Sequence, residues 1–245
     1  MSRHCLLRAS AIRFAAALII STSPLAAQQQ GQQQHLIGGS EGKPPIGWLT
    51  RADASSERHG DKHGEAKNDS HEDSRSADTL AFAQMTPGFH ITTGPGVILW
   101  HPDSSATGSF TITSSIFLFP TDGRDREGYG VFVGGRELAG AAQRYTYFLL
   151  RNDGRFLVKQ RVGDKTTTLK DWTYLTAIKL VSPKKPKDGK QNDLTIVARA
   201  ETVTFSVNGV TAVTLPRAQV MPDGVFGLRV NHALSLHVTK VGRAG

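Results

Sequence analysis

Short runs of alternating apolar and polar residues fill the chain from about residue 80 to its end. They include GFHITTG, GVILWHP, GSFTITSSIFLFP, GYGVFVGG, RYTYFLLR, GRFLVKQR, NDLTIVARA, TVTFSVNGVTAVTL, GVFGLRV and LSLHVTKVG. A period of two with many β-branched and aromatic residues predicts strands, and no helix of useful length competes. Because antiparallel strands with one apolar face must close against another sheet, the pattern predicts an all-β fold, an antiparallel sandwich or jelly roll.

The hairpin at residues 145–161 shows which side chains share a face. A three-residue turn at 152–154, with Gly154 in the left-handed conformation, gives the better register. A two-residue turn would place Lys159 opposite Phe148, which is a poor pair on a buried face. The predicted pairs are Phe148 with Val158, Leu150 with Phe156, and Tyr147 with Lys159. The predicted core face is Thr146, Phe148, Leu150, Phe156 and Val158.

The opposite face of this hairpin carries the candidate binding residues. They are Tyr145, Tyr147, Lys159 and Arg161, beside Leu149 and Leu157. If Arg229 and Asn231 lie on the same side, the sheet presents aromatic rings among cations and an amide. Sugars bind such surfaces, with C–H groups on rings and hydroxyls or carboxylates on guanidinium groups. The alternative is an ordinary solvated face, where Lys and Arg stems cover apolar surface.

A second hairpin is predicted at Asn208-Gly209. This dipeptide supplies the positive φ angles of a two-residue type I′ turn. The predicted pairs are Val207 with Val210 and Phe205 with Ala212.

The N-terminus has the pattern of a secretory signal peptide over residues 1–27. Three arginines precede or enter a short apolar run at 15–20, and small residues follow up to Ala27, after which we expect cleavage. A membrane span would need about 20 apolar residues, so no transmembrane segment is expected after signal removal. Cys5, the sole cysteine, would leave with the signal. We expect a disulfide-free protein in the periplasm or outside the cell.

The next part of the chain is low in apolar residues. Residues 28–45 are rich in Gln, Gly and Pro and predict a flexible lead to a domain at 46–245. GWLTRADA, at 47–54, predicts a first strand, and the polar segment 55–78 predicts a disordered insertion. That segment contains His59, His63 and His71, so a weak Zn or Cu site competes there with a solvated loop.

Charge narrows the class of partner. The chain has a formal charge of +8, and residues 79–245 alone hold 20 basic and 12 acidic side chains. A basic surface suits nucleic acid or another polyanion. Since we expect export, a carbohydrate or an anionic envelope polymer fits better, and no nucleic acid is expected.

The closing segments carry a family resemblance. NDLTIVARAETVTFSVNGVTAVTL followed by GVFGLRVNHALSLHVTKVG resembles the last strands of concanavalin A-like jelly rolls, including laminin-G-like and 3-keto-disaccharide hydrolase domains. The resemblance covers about residues 79–245. It implies a jelly roll that binds carbohydrate or another envelope polymer. It leaves open a glycoside hydrolase-like enzyme, or a scaffold or adhesion module that binds protein through an edge strand.

Candidate catalytic groups are sparse. A retaining glycosidase needs two carboxylates about 5–5.5 Å apart, and the Glu-x-Asp-x-x-Glu run of family 16 glycoside hydrolases is absent from the sequence. A pair such as Asp103 with Glu127 or Glu137 could still assemble from separate loops. We therefore favour a binding protein and predict no catalytic residue and no cofactor. Calcium held by carboxylates at 122–127 is the alternative to a solvated loop there.

Overall fold

Strands and one short helix make up the described part of the chain. The structure, a computed structural model, describes residues 42–52, 80–120, 126–182, 184–185 and 187–244. The strands are β1 (Leu49–Ala52), β2 (Leu80–Gln84), β3 (Phe89–Thr93), β4 (Val97–Ala106), β5 (Phe110–Leu118), β6 (Tyr129–Arg136), β7 (Arg144–Leu150), β8 (Arg155–Val162), β9 (Lys165–Tyr174), β10 (Lys190–Ala198), β11 (Thr202–Val207), β12 (Val210–Pro216), β13 (Gly224–Val230) and β14 (Ser235–Arg243). Helix α1 (Arg217–Val220) joins β12 to β13.

The strands form two antiparallel sheets of seven strands each. Sheet A has the order β1-β4-β13-β6-β7-β8-β9, and sheet B has the order β12-β11-β10-β5-β14-β3-β2. The inner faces of both sheets supply one continuous buried cluster. Phe148 of sheet A meets Phe205 of sheet B with ring centroids 5.3 Å apart. The predicted all-β sandwich is confirmed.

The hairpin of β7 and β8 has the predicted register. Phe148 lies opposite Val158, and Tyr147 opposite Lys159. Gly154 has φ of 80°. The three-residue turn is closed by a bond of 2.9 Å from the Arg151 N–H to the carbonyl of Arg155. The five residues predicted for the core face are buried, which confirms the prediction.

The turn of the second hairpin is confirmed, but one of its two pairs is wrong. Asn208 and Gly209 have φ of 50° and 81°, and Val207 lies opposite Val210. Phe205, however, lies opposite Val213 rather than Ala212, because a bulge shifts the register between Phe205 and Ser206. An extra residue in one strand changes the pairing without changing the turn chemistry.

Two strands were missed by the sequence patterns. β2 is short, and β9 reads KTTTLKDWTY with no clear alternation. Both are edge strands, and β9 pairs with β8 through two register shifts. An edge strand needs few apolar side chains, so the alternation that marks central strands is weak there.

Several predictions fall on residues outside the described ranges. They are the signal peptide, the lead up to residue 41, the insertion at 55–78 with its three histidines, and the carboxylates at 122 and 125. The predicted first strand is β1. In the described chain no helix has the length and apolarity needed to cross a membrane.

Candidate functional site

The side chains of sheet A that point away from the core form the first candidate site, which we call the outer face of sheet A. Strand alternation assigns the members. They are Ile98, Trp100, Phe132, Tyr145, Tyr147, Leu149, Leu157, Lys159, Arg161 and Arg229. Most of these side chains are apolar, although a sheet face outside the core of a sandwich is usually polar.

Aromatic rings organise this face into a second apolar cluster. The ring centroids of Phe132 and Tyr145 lie 5.2 Å apart, and those of Tyr145 and Tyr147 lie 5.7 Å apart. Gly227 leaves room for the cluster, since a Cβ there would lie 2.8 Å from the Phe132 ring. Tilted rings at these spacings are favourable pairs, so the cluster is packed rather than loosely assembled.

The predicted binding residues lie together, but several are buried. Tyr145, Tyr147 and Arg161 are 1%, 7% and 4% exposed, whereas Lys159 and Arg229 are half-buried. Arg161 donates from Nε to the carbonyl of Gly163 at 3.0 Å. The alternation that places these residues on one face therefore does not make their rings a solvated platform.

Arg229 lies within β13, whereas Asn231 lies just beyond its end. The guanidinium carbon of Arg229 lies 5.9 Å from the centroid of the Tyr147 ring, within reach of a cation–π contact. Asn231 follows the end of β13. Its N–H donates to the carbonyl of Gly128 at 2.8 Å, and its carbonyl accepts from the Thr93 hydroxyl at 2.7 Å. The backbone of Asn231 thus ties β13 to its neighbours.

Sequence patterns did not place Trp100, Phe132 or Trp172 at the candidate site. Trp100 and Phe132 are buried members of the outer face, and Trp172 of β9 is a half-buried residue packed against the same cluster. The guanidinium carbon of Arg151 lies 4.1 Å from the centroid of the Trp172 ring. A signal existed, because the runs VILW and VFV are apolar at successive positions, which is typical of strands buried on both faces.

A second candidate site is a cavity of about 490 Å³ where α1 meets the two sheets. We call it the arginine pocket. Its charged lining residues are Arg136, Arg144, Arg217, Glu201 and Asp223, and Met221 also lines it. The sequence patterns did not predict this pocket, because the residues that line it are far apart in the chain.

One ion pair crosses the arginine pocket. Arg217 donates from Nη2 to Oδ1 of Asp223 at 2.6 Å, and the Gly108 N–H donates to the same oxygen at 2.9 Å. Burial works against the charged form of Asp223, but these hydrogen bonds and the charges of Arg217 and Arg136 hold its pKa below the usual range. Asp223 therefore stays ionised.

The structure argues against the catalytic pair Asp103 and Glu127. Val230 pairs with both Val97 and Tyr129, which puts those two residues level across the sheet. Asp103 lies six residues beyond Val97, and Glu127 precedes Tyr129. Ser105 pairs with Val225, five residues before Val230, so even with the register shift in β4 Asp103 and Glu127 lie on opposite sides of the Val97 level and their carboxylates are well over about 10 Å apart.

Glu137, the other predicted partner of Asp103, gives no better pair. Asp103 has a 92% exposed side chain, and Glu137, also exposed, follows a strand that β13 separates from β4. None of the ten side chains of the outer face is a carboxylate. Glu127, the described end of the predicted calcium segment, lies 3.4 Å from Nδ1 of His232. Within the described ranges no three His, Cys, Asp or Glu side chains cluster as a metal site.

The described fold is similar to that of several solved proteins. One is the carbohydrate-binding module CBM66 from Bacillus subtilis, with a TM-score of 0.52, 13% identity, and coverage of 68% of this chain and 92% of that chain. Another is the mixed linkage glucan GH16 of Bacteroides ovatus in complex with a G4G4G3G product, with a TM-score of 0.51, 10% identity, and coverage of 80% and 94%. A third is a glycoside hydrolase family 16 endo-glucanase from the same organism. Its TM-score is 0.50 and its identity is 10%, with coverage of 80% of this chain and 94% of that chain.

Sequence comparison adds nothing to these likenesses. No family model matches the chain, and no curated protein matches it. At identities of 10–13% the structural likeness shows the fold alone. The predicted concanavalin-like jelly roll is confirmed, whereas function must be argued from the sites.

Proposed function

We propose that this protein is an exported binding module for carbohydrate and that its ligand is held at the outer face of sheet A. The observation that carries the proposal is the composition of that face. Aromatic side chains line it, and the guanidinium groups of Arg229 and Arg151 lie over Tyr147 and Trp172. Core packing between the sheets does not require these groups, because they lie on the other side of sheet A.

The exposure of individual side chains divides the roles on this face. Tyr145 and Tyr147 are packed in the cluster and support the groups above them. Lys159, Arg229 and Trp172 are half-buried and can meet a ligand. Sugar hydroxyls accept hydrogen bonds from ammonium and guanidinium groups, and the C–H face of a pyranose packs on an indole.

Binding fits this face better than glycoside hydrolysis. Hydrolysis with two carboxylates requires them about 5–9.5 Å apart across the scissile bond. The outer face supplies none, and Asp103 and Glu127 lie far apart. The similar solved structures include a protein named as a carbohydrate-binding module, and this supports carbohydrate as the ligand class. Export rests on the N-terminal pattern of residues 1–27.

A glycan array probed with the full chain tests the proposal. For a glycan that is retained, we expect Arg229→Gln and Lys159→Gln each to weaken the affinity at least about tenfold in calorimetry, since charge-assisted hydrogen bonds contribute about 1.5–3 kcal/mol. The matched control is Lys240→Gln on sheet B, which is also a cation on a strand and is exposed. Equal affinity of all three variants and the unmodified protein would refute this site, and retention of no glycan would refute the function.

A further inference from the structure

The walls of the arginine pocket are fixed by contacts between α1 and sheet A. The buried hydroxyl of Thr146 donates to the carbonyl of Val220 at 2.7 Å, and Nε2 of Gln160 donates to the carbonyl of Gln219 at 3.1 Å. Gly134 has φ of 69°, and a Cβ there would lie 2.2 Å from the carbonyl oxygen of Met221. The backbone that carries Met221 is therefore held close against β6.

Two arginines of the pocket face each other. A register shift after Val133 makes Arg136 and Arg144 cross-strand partners. Like charges directly opposite each other on neighbouring strands are destabilising. Among the acids in the described ranges, none lies within 4.0 Å of either guanidinium, and Asp223 is paired with Arg217. An anion between the two arginines would relieve their repulsion.

Arg144 has a hydrogen-bonding edge that the protein leaves unused. Its Nε is buried and has no hydrogen-bond partner. Its described hydrogen bond is a weak one from Nη1 to the thioether sulfur of Met221 at 3.6 Å. Nε–H and Nη2–H form the side-on fork of a guanidinium, and a carboxylate accepts both in parallel. Met221 contacts Nη1, outside this fork, and a methionine side chain beside the guanidinium is adaptable enough to shift as a ligand enters the pocket.

The lining charge indicates how much negative charge the pocket accepts. Three arginines and two carboxylates leave a net charge of +1. One carboxylate neutralises it, whereas a phosphate monoester brings about −1.5 to −2 at pH 7 and would be repelled by Asp223 and Glu201. The cavity volume of about 490 Å³ lies in the range of small-molecule sites, about 300–1,000 Å³.

We propose that the arginine pocket binds the carboxylate of an acidic sugar, a uronate residue of a glycan. The choice of a sugar rests on the proposed carbohydrate function, while the carboxylate is argued from the pocket alone. Arg144 binds the carboxylate through its Nε–Nη2 edge, whereas its Nη1 contacts the Met221 thioether, and Arg136 contributes the second positive charge. The pocket shares no lining residue with the outer face, so it adds a separate site that selects acidic glycans.

Calorimetry of the full chain with trigalacturonate and with its methyl ester tests the inference. The ester replaces each carboxylate charge by a neutral group that is one methyl larger, so we expect the acid to bind at least about tenfold more tightly than the ester, one lost charge-assisted contact being worth that factor. Arg144→Gln should reduce the affinity for the acid to that for the ester, and Arg144→Lys should retain part of the difference because the charge remains. Arg243→Gln, an exposed arginine on β14, is the control and should bind as the unmodified protein does.

Each outcome decides the inference. Equal binding of acid and ester, binding of neither, or full discrimination in Arg144→Gln overturns it. If Arg144→Gln does not fold, Arg136→Gln is measured in its place, because the Arg136 side chain is exposed. Its loss should also reduce the preference for the acid, and an unchanged preference would overturn the inference. Failure here leaves the proposed function standing if neutral glycans are still retained and Arg229→Gln still weakens them.

Discussion

The two sheets of this sandwich both contribute to the core but differ on their outer faces. The outer face of sheet B carries small hydroxyl side chains at alternate positions, among them Thr111, Thr113, Ser115, Thr195, Thr204 and Ser206, and all are half-buried. The outer face of sheet A carries Trp, Phe, Tyr and Leu side chains that are almost fully buried. The inner faces of both sheets pack into the same core. The difference between the outer faces is therefore not a requirement of the fold.

This difference is the reason why we propose the binding site on sheet A. A face of Thr and Ser is sufficient for a sheet that meets water. The outer face of sheet A instead carries a second apolar cluster with guanidinium groups over two of its rings. The arginine pocket borders sheet A at the bulge after Val133 and is also lined by Glu201 and Pro216 beside sheet B.

The largest expected effect comes from removing a ring from the outer face of sheet A. Phe132 is 0% exposed and packs on Tyr145. Phe132→Ala should lower the free energy of unfolding by about 3–5 kcal/mol, as truncation of a core aromatic does. The measurement is urea unfolding followed by tryptophan fluorescence.

The matched change on sheet B is Thr195→Ala. A half-buried outer-face hydroxyl with no special contact should change the free energy of unfolding by no more than about 0.5 kcal/mol. If Phe132→Ala costs as little as Thr195→Ala, the apolar cluster on sheet A is not a second core, and the contrast between the faces is lost.

Substitution of two glycines tests the same difference in packing between the sheets, with a smaller expected change in the free energy of unfolding. A Cβ on Gly227 of sheet A would lie 2.1 Å from the carbonyl oxygen of Leu99 and 2.8 Å from the Phe132 ring, whereas Gly242 of sheet B has nothing within 4 Å. Overpacking costs about 1–3 kcal/mol. Gly227→Ala should lose about that much stability in urea unfolding.

Gly242→Ala serves as the control and should be neutral or slightly stabilising, since alanine has less freedom in the unfolded chain. Equal destabilisation by the two alanines would mean that sheet A is no more tightly packed than sheet B on this face.

Much of the fold follows from local sequence, and the reason can be seen at two turns. Gly154 and Asn208 take the positive φ values that their turns require, so the chain direction reverses where the sequence predicts. Alternation then assigns Phe148 and Val158 to the core. The bulge beside Ser206 has no comparable local signal, because it depends on how β12 lies against β11.

The candidate sites were less predictable than the fold, for a physical reason. Alternation placed Tyr147 and Lys159 on one face but could not tell whether that face would be buried. The contact between Arg144 and Met221 joins residues 77 positions apart. No period or turn signal reports a contact of that kind, so the arginine pocket became visible only in three dimensions.

A cation–π contact at the edge of sheet A should give a modest effect. Arg151 lies over Trp172, and its guanidinium also donates to the carboxylate of Asp153. Trp172→Leu keeps an apolar side chain but removes the π face, so it should cost about 0.5–1 kcal/mol in urea unfolding. In the Arg151→Gln background the same Trp172→Leu change should cost less. An identical cost in both backgrounds would show that the stacking contributes nothing.

The outer face of sheet B also carries two histidines among its small hydroxyl side chains. His90 and His237 are cross-strand partners with ring centroids 6.4 Å apart. Burial, followed by the charge of His237, lowers the pKa of His90. Burial likewise lowers the pKa of His237, against a hydrogen bond to the backbone of Pro87 that raises it. Both imidazoles are therefore neutral in the folded protein at neutral pH.

This pair should give the smallest effect, a loss of stability in mild acid. Above the unfolded-state pKa of about 6.5 the imidazoles are neutral in both states and stability does not change. As the pH falls below that value, the unfolded chain takes up protons that the folded protein does not, so the free energy of unfolding decreases. Urea unfolding between pH 7.5 and 5.5 should show this slope, and the double variant His90→Gln, His237→Gln should flatten it. If the slope is unchanged in the double variant, other groups cause the acid sensitivity. The histidine pair of sheet B is then not a charge-sensitive feature comparable with the arginines of sheet A.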